Sequence, residues 1–256
     1  MRAPLFVLAL LIAAAVAAPV IAPYEPDRID LTRLRQAPSA AHWFGTDELG
    51  RDVLARVLHG ARVSLAVGLL SALVAGVSGI AIGGAAGYRG GAVDNVLMRA
   101  TDAMLAVPRL PLLMIASSFL QPSVMLLVVL IGLAGWMETA RVVRAEFRTL
   151  GSRGFVESAR ALGAGHARLI VRHLLPSAAQ AAIVSVTLAV ARGILLESAL
   201  SFFGVGVRPP QASWGNMLYQ SQATLATEPW LALAPGIFIL ITTASVNVAG
   251  DRLAGR

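Results

Sequence analysis

The chain has 256 residues, of which 57% are hydrophobic and only 14% charged, and its mean hydropathy is +0.72. A soluble domain of this length would carry roughly a quarter charged residues, so lipid rather than water is the main solvent. The net charge is +7, every one of the 21 Lys and Arg positions is Arg, and there is no cysteine; this excludes a P-loop ATPase, whose phosphate loop needs a lysine, and also disulfides, thiolate metal sites and cysteine nucleophiles.

In a membrane protein the basic excess marks cytoplasmic loops rather than nucleic-acid binding. Apolar runs of about 20 residues recur, each long enough to cross a hydrocarbon core as a helix. They are continuous rather than alternating, which favours helices over a barrel. The expected fold class is therefore an all-α integral membrane protein.

The first run, Ala3–Ala22, follows a Met1-Arg2 lead. It reads as a retained anchor (1–22) rather than a cleaved signal peptide, because it exceeds a signal h-region of roughly 7–15 residues. A polar loop follows over 23–62, containing Gly45-Thr46-Asp47-Glu48-Leu49-Gly50-Arg51-Asp52. The second span is expected over Val63–Tyr88, where Gly79, Gly83 and Gly87 recur at four-residue spacing and predict close helix–helix packing. A polar link, 89–101, leads to an apolar stretch, Asp102–Leu120, interrupted by Pro108 and Pro111. Gln121-Pro122-Ser123 predicts a tight turn. Further spans are expected over Val124–Val143, Ser177–Leu200 and Trp230–Gly250, making about six.

Arginine placement sets the orientation. With the N-terminus inside, the 144–176 segment is cytoplasmic and carries Arg144, Arg148, Arg153, Arg160, Arg168 and Arg172, as the positive-inside rule requires. The first loop is the exception. It holds six arginines yet lies outside in this topology, offset by Glu25, Asp27, Asp30, Asp47, Glu48 and Asp52.

The 144–176 segment predicts two short helices, one over Val156–Leu162 stopped by Gly163 and one over His166–Leu174 ending before Pro176. Its Glu157-Ser158-Ala159-x3-Gly163 pattern, with Ile170 and Leu174-Leu175-Pro176 beyond, resembles the EAA motif of permease subunits of ATP-binding-cassette importers. Ser158 stands where that motif has its first Ala. Gly60-Ala61-Arg62-x-Ser64-Leu65, Gly87-Tyr88-x-Gly90-Gly91-x2-Asp94, Glu197-x2-Leu200-Ser201-Phe202-x-Gly204-x-Gly206, Ser213-Trp214-Gly215 and Asn247-x2-Gly250-Asp251 extend the likeness to the C-type permeases of the dipeptide/oligopeptide/nickel subfamily. The likeness covers about residues 19–252; the short lead would fit a start codon placed late, and relatives usually run on past the Gly-Asp pair.

The resemblance implies an N-terminal helix plus a five-helix type I importer core (63–252) in a bacterial inner membrane. It implies a loop, with Glu157, Ser158, Ala159, Gly163, Ile170 and Pro176, that docks in a groove of a separate ATPase. The implied partners are a second homologous permease, two ATPase subunits that bind the ATP and Mg, and a periplasmic or lipid-anchored solute-binding protein. No cofactor is expected in this chain. Di- or oligopeptides are the expected cargo, with nickel or a metal chelate as the alternative.

Ionisable groups within spans are costly and usually face a bundle interior. Glu138 and Arg141, three apart, are expected to pair on one helix face. Arg192 and Glu197, five apart, point to different faces and are candidates for the pathway or its gate, or for helix-end groups that snorkel to the interface. The four histidines lack ligand spacing, and no metal site is expected. A membrane-embedded enzyme would need an HExxH or GxSxG motif, which the sequence lacks; a channel or secondary transporter would work without an ATPase.

Overall fold

The computed structural model describes residues 3–121 and 123–255. The Met1-Arg2 lead, Pro122 of the expected turn and Arg256 lie outside the described residues. The order is α1 (Ala3–Ile21), α2 (Val53–Arg89), α3 (Gly91–Ala106), α4 (Arg109–Ser118), α5 (Val124–Leu133), α6 (Trp136–Gly151), α7 (Gly154–Ala161), α8 (His166–Leu169), α9 (Leu175–Phe202), α10 (Trp214–Ser221) and α11 (Trp230–Leu253). Among the described residues the only strand-like pairing is an isolated bridge between Thr46 and Asp52.

Among the described residues three helices are long and apolar enough to cross a membrane: α2, the continuous helix from His166 to Phe202, and α11. The pairs α3/α4 and α5/α6 qualify together as spans bent by 82° and 41°, giving five. The shorter α1, apolar over Leu5–Ile21, completes the expected set.

The 82° bend has a sequence cause. Pro108 has no N–H to continue the helix, and the residue before it is driven extended, as Val107 is (φ −81°, ψ 126°). The polar link expected over 89–101 is instead helical from Gly91, after a break at Gly90. Asp94 is buried and paired with Arg144, its Oδ2 accepting from Arg144 Nη2 at 2.7 Å, so charge ties α3 to α6.

The helix α2 runs through the middle and packs on α5, α6 and α9. The glycine stripe explains how closely. A Cβ at Gly79 would sit 2.6 Å from Thr139 Cβ, one at Gly83 would sit 2.3 Å from the Ala140 carbonyl oxygen, and one at Gly87 would sit 2.7 Å from that of Arg144. The stripe thus seats α6 directly on the α2 backbone, the contact that small residues permit in lipid.

The helix expected from Val63 begins ten residues earlier, at Val53. Asp52 caps it, its Oδ2 accepting from the Ala55 N–H at 2.8 Å. The extra turns bury Val53, Val57 and Ala61 against Trp214, Met217 and Leu231. They read as loop in the sequence because Arg56 falls among them. Yet Arg56 is 1% exposed, with Nη1 3.3 Å from Asp27 and Nε 3.6 Å from Asp47. Arg51 is also buried, its Nε donating to Asp47 at 2.7 Å, and His42 Nδ1 lies 2.8 Å from Asp52.

Residues 23–52 of the expected polar loop therefore form a folded cap, in which Arg33 pairs with Asp30 and Arg51 with Asp47. The α10 segment lies beside the cap, with Trp214 Nε1 donating to the Val57 carbonyl at 3.0 Å. The opposite end of the bundle carries the C-terminal end of α2, the 152–165 segment and the end of α11, as the Tyr88–His166 and Gln180–Leu253 contacts define.

Candidate functional site: the coupling loop and the charged groups within the spans

The helix α6 ends at Gly151, and α7 crosses the end of the bundle before the chain returns into α9. The turn after α7 is closed by two hydrogen bonds, from the Gly163 N–H to the Arg160 carbonyl at 2.9 Å and from the Ala164 N–H to the Ala159 carbonyl at 3.0 Å. This pairing requires a left-handed residue at the turn, and Gly163 supplies it at φ +81°. The helix ends directly before Gly163, as the glycine's place in the sequence predicts.

The far side of the loop differs from expectation. The helix that starts at His166 does not end before Pro176 but continues to Phe202. One π-helical turn, Ile170–Leu174, makes this possible, with the Leu175 N–H bonded to the Ile170 carbonyl. Widening the helix there removes the need for the N–H that Pro176 lacks. The loop is thus rigidly continuous with a span at this end.

Apolar packing fixes it further. Val156, Leu169 and Leu174 are buried with Val143 and Phe147 of α6 and Ala178 of α9, and Ala159 and Ile170 pack at the edge of this cluster. His166 is hydrogen-bonded to Tyr88 at the end of α2. Of the six candidate loop residues, Ala159 and Ile170 are half-buried braces, whereas Glu157, Ser158, Gly163 and Pro176 are exposed.

The sequence pattern gave no notice of Leu162 and Phe155. Leu162 is 89% exposed and Phe155 44% exposed. An apolar side chain left almost wholly in water next to a rigid turn marks a contact surface. The available signal was Leu162 standing directly before the turn glycine, where a cap places it outside the helix's buried face.

The intramembrane charges pair differently from the expected i,i+3 contact. Glu138 does not meet Arg141. Its Oε1 accepts from Arg109 Nη2 at 2.7 Å, and Arg192 Nη1 stands 2.9 Å from its Oε2, while Arg141 pairs with Asp102. Arg141 of α6 thus reaches Asp102 of α3, and cross-helix pairing of this kind cannot be read from spacing along one helix.

Arg192 and Glu197 do face different surroundings. Arg192 and Glu138 line a cavity of about 470 Å³ between α6 and α9, together with Ser177, Gln180, Ser185 and Glu146. The other side of α9 faces an apolar groove of about 810 Å³ lined by Ile183, Val186 and Val190 with Ile12 and Val16 of α1. One face of α9 suits lipid or an apolar helix, and the other suits water.

Glu197 is fully buried. The hydroxyls of Ser64 and Ser201 each donate to it at 2.8 Å, and in turn accept from the Trp214 N–H at 3.2 Å and the Val207 N–H at 3.0 Å. The carboxyl therefore ties the segment after α9 to α2. Glu197→Ala would leave both hydroxyls without an acceptor, and it is expected to destabilise the detergent-solubilised protein by about 1–3 kcal/mol. Glu197→Gln retains an acceptor and is expected to lose less; equal melting temperatures for Glu197→Ala and the wild type would contradict the brace.

The chain is similar to known proteins. The profile of the family described as "Binding-protein-dependent transport system inner membrane component" matches residues 79–256. The dipeptide transport system permease protein DppC of Bacillus subtilis is 39% identical over 252 residues, covering 98% of this chain and 79% of that protein. The glutathione transport system permease protein GsiD of Pectobacterium atrosepticum is 36% identical, covering 98% and 83%. A chain of the MetNI methionine ABC transporter, solved in inward-facing conformations, shares the fold with a TM-score of 0.65 at 18% identity, over 78% of this chain and 95% of that one. The chain belongs to the family of binding-protein-dependent transport system inner membrane components, as an ABC importer permease of the peptide subfamily.

Proposed function

We propose that this chain is one of two related permease subunits of an ATP-driven importer of di- or oligopeptides in the bacterial inner membrane. The observation that carries the reading is the exposed α7 turn, with Glu157, Ser158, Leu162 and Gly163, braced onto α6 on one side and continuous with α9 on the other. A load applied to that turn is delivered to the two helices that hold Glu138 and Arg192. Rigid elements joined this way carry displacement into a span without dissipating it in a floppy linker.

In this reading a separate ATPase docks on Leu162 and its neighbours and binds the ATP and Mg, two such subunits serving the permease pair. The cap over 23–52 and the α10 segment form the outer face, met by a periplasmic or lipid-anchored solute-binding protein. Arg192 lines the pathway, and Glu197 holds its outer end together rather than touching cargo. Nucleotide shifts the pathway between inward-open and outward-open forms only through its differential affinity for them.

Peptide cargo is favoured by relatives whose names specify dipeptides and glutathione. Uptake of radiolabelled dipeptide and of radiolabelled nickel in cells with and without this gene tests the assignment. Loss of dipeptide uptake alone is expected. Loss of nickel uptake alone would reverse the cargo, and uptake persisting without any partner ATPase would contradict the importer reading.

A further inference from the structure

Two guanidinium groups converge on one carboxylate at the mid-span end of the α6/α9 cavity. Arg109, the first residue of α4 after the Pro108 bend, and Arg192 of α9 both meet Glu138. Arg192 lies ten residues, about 15 Å, from the end of α9, well inside the span. The side chains of Arg192 and Glu138 are 38% and 34% exposed. Charges at this depth do not face hydrocarbon, so the cavity is a wet one. Each guanidinium has five N–H donors in a planar fork, and each meets Glu138 through a single terminal nitrogen.

The local balance is two cations against one anion. Glu146, the other acid of the cavity, stands eight residues along α6, about 12 Å away, beyond a screening length of about 8 Å in physiological salt. The donors left over on Arg192 match a second carboxylate, because an arginine fork binds that group bidentately.

We propose that Arg192, backed by Arg109 and Glu138, is a transient subsite for the C-terminal carboxylate of the passing peptide. This rests on the peptide reading above. Glu138 keeps the two arginines from holding the carboxylate too tightly, since the incoming group must share them, and a pathway site needs release as much as capture. The arginines would equally suit an acidic side chain of the second permease subunit, so the test separates the two sources of carboxylate.

The complete transporter is reconstituted in proteoliposomes with its binding protein. Uptake of trialanine is compared with uptake of trialanine amide, for wild type, Arg192→Gln and Arg192→Lys. The binding protein is common to all arms, so its own preference cancels in the comparison. Wild type is expected to favour the free acid, and Arg192→Gln to cut that preference about tenfold, one arginine–carboxylate contact in a wet site being worth about 1.4 kcal/mol. Arg192→Lys keeps the charge without the fork and is expected to fall between.

An unchanged acid-to-amide ratio in Arg192→Gln would overturn the subsite while leaving peptide transport intact. An equal loss of both cargoes in Arg192→Gln, reversed in Arg192→Lys, would also overturn it and assign the arginine to a protein carboxylate. If wild type moved neither peptide, the cargo reading itself would fall.

Discussion

Gly163→Asp is expected to lower substrate uptake at least about tenfold while the chain still inserts and the partner ATPase still turns over ATP. Gly163 sits at φ +81°, where a side chain costs about 1–2 kcal/mol. Nothing lies within 4 Å of where its Cβ would be, so the substitution does not collide with the chain's own fold. What changes is the turn closed by the Ala164–Ala159 hydrogen bond and the chemistry of the surface beside Leu162. A carboxylate next to that exposed leucine opposes burial in an apolar groove. Gly163→Ala separates the two effects, because it strains the turn without adding charge, and it is expected to give an intermediate loss. Uptake by membrane vesicles, measured alongside ATP hydrolysis by the same complexes, checks both; wild-type uptake by Gly163→Asp would contradict a coupling role.

Gly83→Val is expected to act on the fold itself. Its Cβ would sit 2.3 Å from the Ala140 carbonyl oxygen and 2.9 Å from that residue's Cα. Both are backbone atoms of α6, so no side-chain rotation relieves the clash, and α6 must lift off α2. Overpacking of a tight contact costs about 1–3 kcal/mol, and a backbone clash belongs at the upper end. The expected result is a sharp fall in the yield of monodisperse protein after extraction and a lower melting temperature. Gly236→Val is the control, since that position in α11 has open space around it. Equal yields for the two variants would show that the α2/α6 contact does not need its glycine stripe.

The spans were legible because their signal is local: uninterrupted apolar runs, a four-residue glycine period and the proline at 108. The start of α2 was not, because Arg56 looks like a solvent-exposed loop residue until Asp27 reaches it from 29 residues away and joins the local Arg51–Asp47 pair. The same holds for α3, whose Asp94 is buried only because Arg144 reaches it across 50 residues. The Gly163 turn was readable, since a glycine after a helical run has one common use. The continuity of the helix through Pro176 was not, because a π turn leaves no mark in the sequence. Cross-helix pairing of Glu138 with Arg109 and Arg192 was equally hidden, and it replaced the local Glu138–Arg141 pair that spacing suggested.

The first loop runs against the positive-inside rule in the expected N-in topology, because the rule counts basic residues whether or not they are paired. Here Arg51 and Arg56 are buried in ion pairs, Arg33 meets Asp30 and His42, and Arg35 meets Glu228. At the other end the arginines of α7 and the π turn, Arg160 and Arg172, are exposed.

The chain contains no cysteine, so a single introduced thiol reports one position without background. Ser158→Cys places it on the exposed face of α7, and Trp43→Cys places it on the cap at the opposite end, where Trp43 is 70% exposed. Each variant is co-expressed with the ATPase subunits, labelled at its single thiol with a maleimide–benzophenone and irradiated in native membranes, so that the ketone inserts into whatever C–H bonds lie against it. The coupling account predicts a cross-link to the ATPase from residue 158 and none from residue 43. A cross-link from residue 43, or none from residue 158 in complexes that still transport, would contradict it.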